Sequence, residues 1–340
     1  MKKNIYKHIS VISLLISLSL SAQDKAGVAG AHELLIPTSA VGLSLSDAYI
    51  AGISGLDALT YNPAGLFYID NDIGVMFSYM QYLADINFSY AAIGFKFENF
   101  GVLAVNVRNL DFGEIPITTV EKPYGTGENF SPTYITAGIT YSNSLSDNLT
   151  VGVSANLVTE KILQTTANTI SFDLGFQIAK MFGIVGLKLG GVLKNLGPEL
   201  QFDGADLLSQ TERSGTGGID FIKYDTPEFE LPLQVQIGIA YDKKITEDYS
   251  ISFSTAFQSS EYFNNEYKIG GEFSYDNLVY LRGGYTYIKE ADENSDNNIF
   301  GPSFGAGFRI KGDFNVIVDY GFRQARFFSN NHIISVSLGF

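Results

Sequence analysis

Residues 331–340 of the chain read NHIISVSLGF. Ile334, Val336 and Leu338 are apolar, the residues between them are small or polar, and the chain ends on Phe340. Because successive side chains of a β-strand point to opposite faces, this stretch predicts a strand with one apolar face and one polar face.

The same alternation recurs along most of the chain, beginning near residue 72. A tilted strand needs roughly 9–11 residues to cross a bilayer, and most runs are at least this long. Only helices and closed barrels satisfy every backbone group in lipid, and the sequence has no apolar run of the ~18 residues that a membrane helix requires. We therefore predict an all-β fold, a transmembrane antiparallel β-barrel of about 14 strands. The predicted strands are 72–82, 85–97, 100–110, 132–142, 147–160, 168–179, 182–194, 232–242, 248–258, 266–275, 278–288, 299–311, 313–323 and 331–340.

A secreted β-sandwich is the alternative fold. A sandwich seldom needs an alternating face on so many long consecutive strands, and the polar faces here are rich in Gly, Ser, Asn and Gln, which suits a filled lumen. If Phe340 lies on the periplasmic side, the four longest connections, including 111–131 and 195–231, all fall on the outer side, where barrels carry long loops. Phe340 then resembles the C-terminal signal that the barrel assembly machinery of the outer membrane reads.

The N-terminal residues indicate export. Three lysines precede an apolar run that ends near Leu20, and small residues follow, which predicts a signal peptide over residues 1–22. The predicted organisation is therefore a signal peptide (1–22), an N-terminal segment (23–70) and an outer-membrane β-barrel (71–340), an integral protein in contact with outer-membrane lipid. The net charge of −14 argues against nucleic acid as a partner.

The stretch Ser44–Leu66 is the part of the mature chain that reads as a helix, starting near Ser46 or Asp47 as an N-cap. Its Asn-Pro-Ala-Gly-Leu end contains two turn signals. We expect a short N-terminal helical plug in the lumen, whose end turns the chain into the first strand. Asp57 is expected to pair with an inward arginine, to cap a helix or to be solvated. The predicted plug and turn residues are Asp57, Asn62, Pro63, Ala64, Gly65 and Leu66.

Strand parity predicts charged residues on the lumen face. Because both signs occur without clustering, a salt-bridged lattice is the favoured interpretation, and selectivity for a passing solute is the alternative. The main residues are Arg108, Asp173, Lys188, Arg282, Arg309, Asp319 and Arg323.

The connection 195–231 mixes acids with apolar residues, and loops of this length are commonly functional. It is expected to fold over the barrel mouth, to present an apolar surface to another protein, or to pack on itself. Its candidate contact residues are Leu196, Leu200, Phe202, Leu207, Leu208, Phe221 and Phe229.

Catalytic residues are not evident. The sequence has no cysteine, its predicted mature part has only His32 and His332, and it has no G-x-S-x-G elbow. We expect no enzymatic activity, no cofactor and no metal site.

The stretch from Asp57 to Leu66, DALTYNPAGL, resembles the N-terminal segment of FadL-like outer-membrane barrels. Within that group the chain is similar to the PorV/PorQ family, with support from short stretches such as 112–116 (FGEIP), 172–175 (FDLG) and 193–198 (LKNLGP). The resemblance implies a fourteen-stranded barrel with its N-terminal segment in the lumen. It also implies type IX protein secretion, in which the barrel receives cargo from the secretion translocon and passes it on at the cell surface.

The alternative function is a FadL-like channel for hydrophobic small molecules. It predicts an apolar pocket in the lumen and a lateral opening of the wall. The second strand is the predicted place for this opening, because its large apolar residues change face between Tyr90 and Ile93.

Overall fold

A computed structural model describes residues 27–212, 219–262, 264–288, 299–310, 312 and 314–340. In this part of the chain, fourteen antiparallel strands form one barrel, which closes where the first strand pairs with the last. This confirms the predicted fold. The predicted signal peptide lies outside the described residues. The strands are β1 (Ile73–Gln81), β2 (Asn87–Phe97), β3 (Gly101–Asp111), β4 (Thr133–Ser146), β5 (Leu149–Ile162), β6 (Thr165–Ile178), β7 (Leu187–Leu196), β8 (Gln234–Lys244), β9 (Tyr249–Ser260), β10 (Glu266–Tyr275), β11 (Val279–Ile288), β12 (Phe300–Ile310), β13 (Asn315–Ala325) and β14 (Asn331–Gly339).

We call the barrel end that holds Phe340 the inner end, and the opposite end the outer end. The two longest connections between strands, 197–233 and 112–132, begin and end at the outer end as predicted, and residues 289–298 of the third longest lie outside the described residues. The fourth longest, 179–186, lies at the inner end, so that part of the prediction is wrong. The reason is that β7 begins at Leu187, later than its apolar pattern suggests.

The side chains of the strands alternate between the lumen and the outer surface. In β14, Ser335 is 2% exposed on the lumen side, whereas Ile334 is 51% exposed on the outside. The outer surface of the strands is therefore largely apolar, as the hydrocarbon of a membrane requires. None of the helices in the described part of the chain has the length and apolarity to cross a bilayer.

Residues 27–72 run through the barrel, and we call them the plug. The chain begins near the outer end, where the Gly30 N–H donates to the carbonyl oxygen of Glu230 (2.9 Å), and passes to the inner end before β1. Its regular structure is one short α-helix and three 3₁₀ helices. These are α1 (Ala40–Ser44), and His32–Leu35, Gly55–Thr60 and Pro63–Tyr68.

The predicted helix that starts at Ser46 or Asp47 is wrong. Both residues have left-handed backbones, with φ of 51° and 58°, which interrupt a helix. The α-helix lies earlier, and its N-cap is Ser39, whose Oγ accepts a hydrogen bond from the Gly42 N–H (3.1 Å). The Ser46 Oγ donates to the Oγ of Ser303 in the wall (3.1 Å), a contact between residues far apart in the chain that local sequence does not contain.

The lumen beside β1 to β3 is apolar because the plug packs there. Leu43, Leu59 and Leu66 are buried in one cluster with Phe88 and Tyr90 of β2. The predicted opening at β2 is wrong, since β2 pairs along its whole length with β1 and β3. Phe88 and Tyr90 face inward to contact the plug, which explains why the large residues of this strand change face.

Candidate functional site

The asparagine of the Asn-Pro-Ala-Gly-Leu motif joins the plug to the wall. The Asn62 Nδ2 donates to the carbonyl oxygens of Ile50 in the plug (2.9 Å) and Phe176 in β6 (3.1 Å). Its Oδ1 accepts from the Ala64 N–H (3.2 Å). Gln177, also in β6, donates to Ile50 as well (3.1 Å). Asn62 is fully buried, so these bonds are shielded from water.

Two wall glycines make room for this motif. A Cβ atom on Gly152 would lie 2.3 Å from the carbonyl carbon of Pro63, and one on Gly175 would lie 2.1 Å from the Oδ1 of Asn62. Carbon atoms in contact need about 3.5 Å. The motif therefore lies against the wall. It forms the N-cap and the first residues of the 3₁₀ helix Pro63–Tyr68 instead of the predicted turn into β1. Its residues Asn62, Pro63, Ala64, Gly65 and Leu66 are all buried.

Asp57 does not form the predicted pair with an inward arginine. Arg282 contacts Glu272 (2.6 Å) and Asp319 (2.5 Å) instead. The Oδ1 of Asp57 is buried and has no hydrogen-bond partner among the described residues. Burial, followed by the negative charge of Asp319, raises the pKa of Asp57 to about 6. Because Glu272 and Asp319 of the wall already pair with Arg282, Asp57 forms no ion pair with this arginine.

The predicted charged residues at the inner end form ion pairs around a chamber of about 530 Å³. Besides the pairs of Arg282, Lys188 Nζ lies 2.7 Å from Asp242 Oδ2, and Arg309 Nη2 lies 3.3 Å from Asp70 Oδ2. This arrangement favours the lattice interpretation for Lys188, Arg282, Arg309 and Asp319.

The remaining predicted charges lie nearer the outer end and have different partners. Arg108 Nη1 donates to the carbonyl oxygen of Leu34 (3.5 Å), and the Arg323 guanidinium lies 3.6 Å from the ring centre of Phe300. The Nε atoms of both arginines are buried without a hydrogen-bond partner in the described part of the chain. The Oδ1 of Asp173 accepts a hydrogen bond from the backbone N–H of Asn195 (2.8 Å).

A cavity of about 390 Å³, which we call the outer pocket, lies between the outer half of the plug and the wall. The plug contributes apolar groups, among them Leu34, Ile36 and Tyr61. The wall contributes polar groups such as Lys194 and Gln236. The plug side of the pocket is thus mixed, because His32, Ser46, Asp47 and Thr60 also line it, and the side of β7 to β10 is polar.

The outer pocket borders a break in the pairing of the wall. β11 and β12 pair from Val279 and Phe308 as far as Gly284 and Ser303, where the paired register ends. The next residue outward in β12 is Pro302, which lies within the register shift between β12 and β13. We call the outer ends of these strands, residues 285–288 and 299–302, the lateral seam.

Both sides of the lateral seam line the outer pocket, through Thr286 and Ile288 of β11 and Phe300 of β12. The register between β12 and β13 shifts between Phe300 and Ser303, so the outer end of β12 bends at this point. Arg323 of β13 stacks on Phe300. This contact holds the end of β12 beside β13, and among the described residues the β11–β12 register does not continue outward of Ser303.

The loop with the candidate contact residues divides into two parts. One part folds over the barrel mouth, where Leu200 packs against Ala31 and Leu34 of the plug. The other is a two-stranded hairpin, Leu208–Glu212 with Ile219–Lys223, which projects from the barrel. The predicted residues Leu200, Phe202, Leu207 and Phe229 are buried or half-buried, whereas Leu196, Leu208 and Phe221 are exposed.

Phe340 lies at the inner end beside β1. Its N–H donates to the carbonyl oxygen of Ile73 (2.9 Å), and its ring contacts Phe314 at a centroid distance of 5.1 Å. Its side chain is half exposed. Its function as an assembly signal stays a prediction.

The sequence reasoning missed the residues of the lateral seam. Pro302 did carry a signal, because a proline inside a strand-like run indicates an edge or an irregularity. Lys194 was placed in a strand but was not among the lumen charges, although it lines the outer pocket. The plug turn at Ser46 gave no signal, because its conformation depends on the wall.

No family model and no curated protein matches the chain. Solved structures do match. The toluene transporter TbuX of Ralstonia pickettii has 12% identity and a TM-score of 0.53, with 87% of this chain and 98% of that chain covered. The P. putida toluene transporter TodX has 13% identity, the same coverage and a TM-score of 0.53. A Pseudomonas aeruginosa FadL homologue has 10% identity, a TM-score of 0.51, and coverage of 88% and 97%. At these identities the likeness establishes a FadL-type barrel fold.

The comparisons contradict the predicted role in type IX secretion. The similar structures are those of toluene transporters and a FadL homologue, which correspond to the alternative function. No match supports the PorV/PorQ assignment. The structure also explains why the motif misled the functional prediction. Asn62 and Pro63 fit the plug onto wall glycines, which is a requirement of the fold and does not specify what the barrel transports.

Proposed function

We propose that the protein is a non-enzymatic channel that carries hydrophobic small molecules across the outer membrane. The observation that supports this proposal is the outer pocket, whose wall includes both edges of the lateral seam. A solute enters the pocket from the outer end and leaves sideways between β11 and β12 into the apolar layer of the membrane. This path keeps an apolar solute in contact with apolar groups of the plug and then with lipid.

The inner end offers a poor exit for an apolar solute. The plug lies across the lumen, and ion pairs such as that between Arg282 and Asp319 surround the inner chamber. An apolar molecule that moves from the outer pocket into that charged, hydrated chamber loses the free energy that it gained when it left water. Lateral release avoids this cost.

The names of the similar structures agree with this proposal, since TbuX and TodX are toluene transporters. Export by residues 1–22, contact with outer-membrane lipid and recognition of Phe340 by the barrel assembly machinery belong to the same proposal. Membership in the PorV/PorQ family rests on short sequence motifs, and the channel function does not depend on it.

The test is uptake by intact cells that lack another channel of this kind. Cells that express the protein should take up radiolabelled toluene, dodecane or palmitic acid several-fold faster than cells with an empty vector. Deletion of Pro302 removes the extra residue at the register shift of β12 and should let the lateral seam pair further, so uptake should fall several-fold. Pro116→Ala, in an exposed hairpin far from the seam, is the matched control and should leave uptake unchanged.

Two results would overturn the proposal. Uptake of all three solutes at the empty-vector rate, with the barrel present in the outer membrane, would exclude a hydrophobic channel. Equal uptake by wild type and the variant that lacks Pro302, with both barrels present in the outer membrane, would exclude the lateral seam as the exit.

A further inference from the structure

The connection between β6 and β7, residues 179–186, differs from the other connections at the inner end, and we call it the inner loop. The other inner connections that the structure describes in full have two to four residues, and each contains an acidic residue. They are 98–100, 147–148, 245–248 and 276–278. The inner loop has eight residues, and its last six, MFGIVG, carry no charge. Its composition is therefore that of a segment that leaves water, whereas the others are polar turns.

Three large apolar side chains of the inner loop are exposed. Phe182 is 55% exposed, Ile184 49% and Val185 76%. Single exposed apolar residues are ordinary on a protein surface, but three within four consecutive positions form a patch. Such a patch indicates contact with another molecule or with a membrane.

The backbone of the inner loop is folded on itself. The Gly183 N–H donates to the carbonyl oxygen of Lys180 (2.8 Å), and the Ile184 N–H donates to that of Met181 (3.0 Å). Phe182 has a positive φ of 54°, an uncommon conformation for a bulky residue. The loop thus has a definite shape, which leaves its large apolar side chains outside the core of the barrel.

The inner loop is continuous with the apolar outer surface of the wall. The Asp242 N–H donates to the carbonyl oxygen of Gly186 (3.0 Å), and the next residue, Leu187, pairs with Tyr241 of β8. Tyr241 is exposed and faces outward, since its neighbour Ala240 is buried on the lumen side. The apolar patch therefore borders the surface that faces the hydrocarbon of the membrane.

Two lysines flank the patch. Lys180 precedes it, and Lys243 follows the residue that bonds to the end of the loop; both side chains are exposed. An apolar segment with lysines beside it suits a phospholipid leaflet, because the ammonium groups reach the headgroup phosphates while the apolar side chains enter the acyl region. Another protein could also cover the patch, but the continuity with the lipid-facing surface favours lipid.

We propose that the inner loop is a membrane anchor, in which Phe182, Ile184 and Val185 enter the phospholipid leaflet at the inner end of the barrel. Lys180 then lies at the level of the phosphates. The anchor fixes the depth of the barrel in the membrane on the side of β6 to β8. It does not depend on what the barrel transports.

Tryptophan fluorescence tests the anchor. The chain has no tryptophan, so Phe182→Trp introduces a single one, which can be excited apart from the tyrosines. The purified protein is placed in vesicles of phosphatidylethanolamine and phosphatidylglycerol, with or without bromine on the acyl chains. Bromine quenches tryptophan on contact, so the emission of Phe182→Trp should be several-fold lower in the brominated vesicles. Acrylamide in the water should quench it little.

Two matched variants define the limits of the measurement. Phe253→Trp lies on the outward face of β9 and reports a side chain in lipid, whereas Tyr124→Trp is fully exposed in the connection 112–132 and reports one in water. All three changes replace one aromatic side chain by another at an exposed position, so the barrel should stay folded. The different migration of folded and heat-unfolded barrels on gels checks this.

The responses decide between the occupants of the patch. Quenching of Phe182→Trp by brominated lipid, as in Phe253→Trp, supports the anchor, and Val185→Trp should behave in the same way. If both variants respond like Tyr124→Trp, with strong quenching by acrylamide and none by brominated lipid, the anchor is wrong. Protection from both quenchers would mean that a second copy of the chain covers the patch, which would also overturn the proposal.

Discussion

Substitution of Gly152 by alanine should displace the plug, because the new methyl group would meet backbone. Its Cβ would lie 2.3 Å from the carbonyl carbon of Pro63 and 2.5 Å from the nitrogen of Ala64. The plug must move by about 1 Å to restore normal contact distances of about 3.5 Å. That movement also breaks the hydrogen bond from the Ser142 Oγ to the carbonyl oxygen of Ala64, now 3.0 Å long.

The expected loss combines two effects. Overpacking of a close-packed site costs about 1–3 kcal/mol, and loss of one buried hydrogen bond costs about 1 kcal/mol. The equilibrium for seating the plug should therefore shift by about 2–4 kcal/mol, which is between about thirty-fold and a thousand-fold. The wall strands themselves should still pair, since Gly152 lies in a strand whose backbone partners are unchanged.

Single-channel conductance in planar bilayers measures whether the plug is seated. Gly152→Ala should show frequent openings and a lower thermal unfolding midpoint than wild type, and deletion of residues 28–60 gives the conductance of a barrel without most of its plug. Gly271→Ala is the control, because the nearest atom to its new Cβ is 3.9 Å away. Conductance and midpoint equal to wild type in Gly152→Ala would refute the idea that wall glycines hold the plug.

Three further substitutions test the buried polar groups. Asn62→Ala removes the three hydrogen bonds of the Asn62 side chain, with Ile50, Phe176 and Ala64, and should lower the free energy of unfolding by about 2–4 kcal/mol in urea titration. An unchanged midpoint would show that Asn62 is dispensable. The pKa of Asp57, about 6, lies above its ordinary 3.8, so its protonated form favours the folded state. The contribution of Asp57 to the free energy of unfolding should be complete below pH ~4 and be lost as the pH rises to ~6, by an amount on the order of 2 kcal/mol. Asp57→Asn should abolish this pH dependence of the unfolding midpoint. Arg282→Gln leaves the carboxylates of Glu272 and Asp319 without their cation and should destabilise the barrel by about 3–5 kcal/mol. Adding Asp319→Asn should restore part of this stability. If it restores none, the unpaired charge is not the cause of the loss.

The sequence could predict the barrel because the relevant signal is local. In each strand, apolar residues two positions apart, such as Ile334 and Val336, mark one face, and the residues between them mark the other. The number of strands follows from how often this alternation recurs. The Asn-Pro-Ala-Gly-Leu motif could likewise be recognised from a few adjacent residues. Its contacts with Gly152 and Gly175 could not, because no local rule relates a plug residue to a glycine in a distant strand.

Tertiary structure alone decided the conformation of the plug and the position of the seam. Ser46 and Asp47 look like helix-capping residues in the sequence, but both have left-handed backbones, in a turn for which Gly270, Gly284 and Gly305 of the wall make room. Phe88 and Tyr90 look like a break in a strand, but they face inward because the plug packs against them. Short-range patterns set which residues can form a strand, whereas the shape of the lumen, built from residues far apart in the chain, decides where the plug rests and where the wall can open.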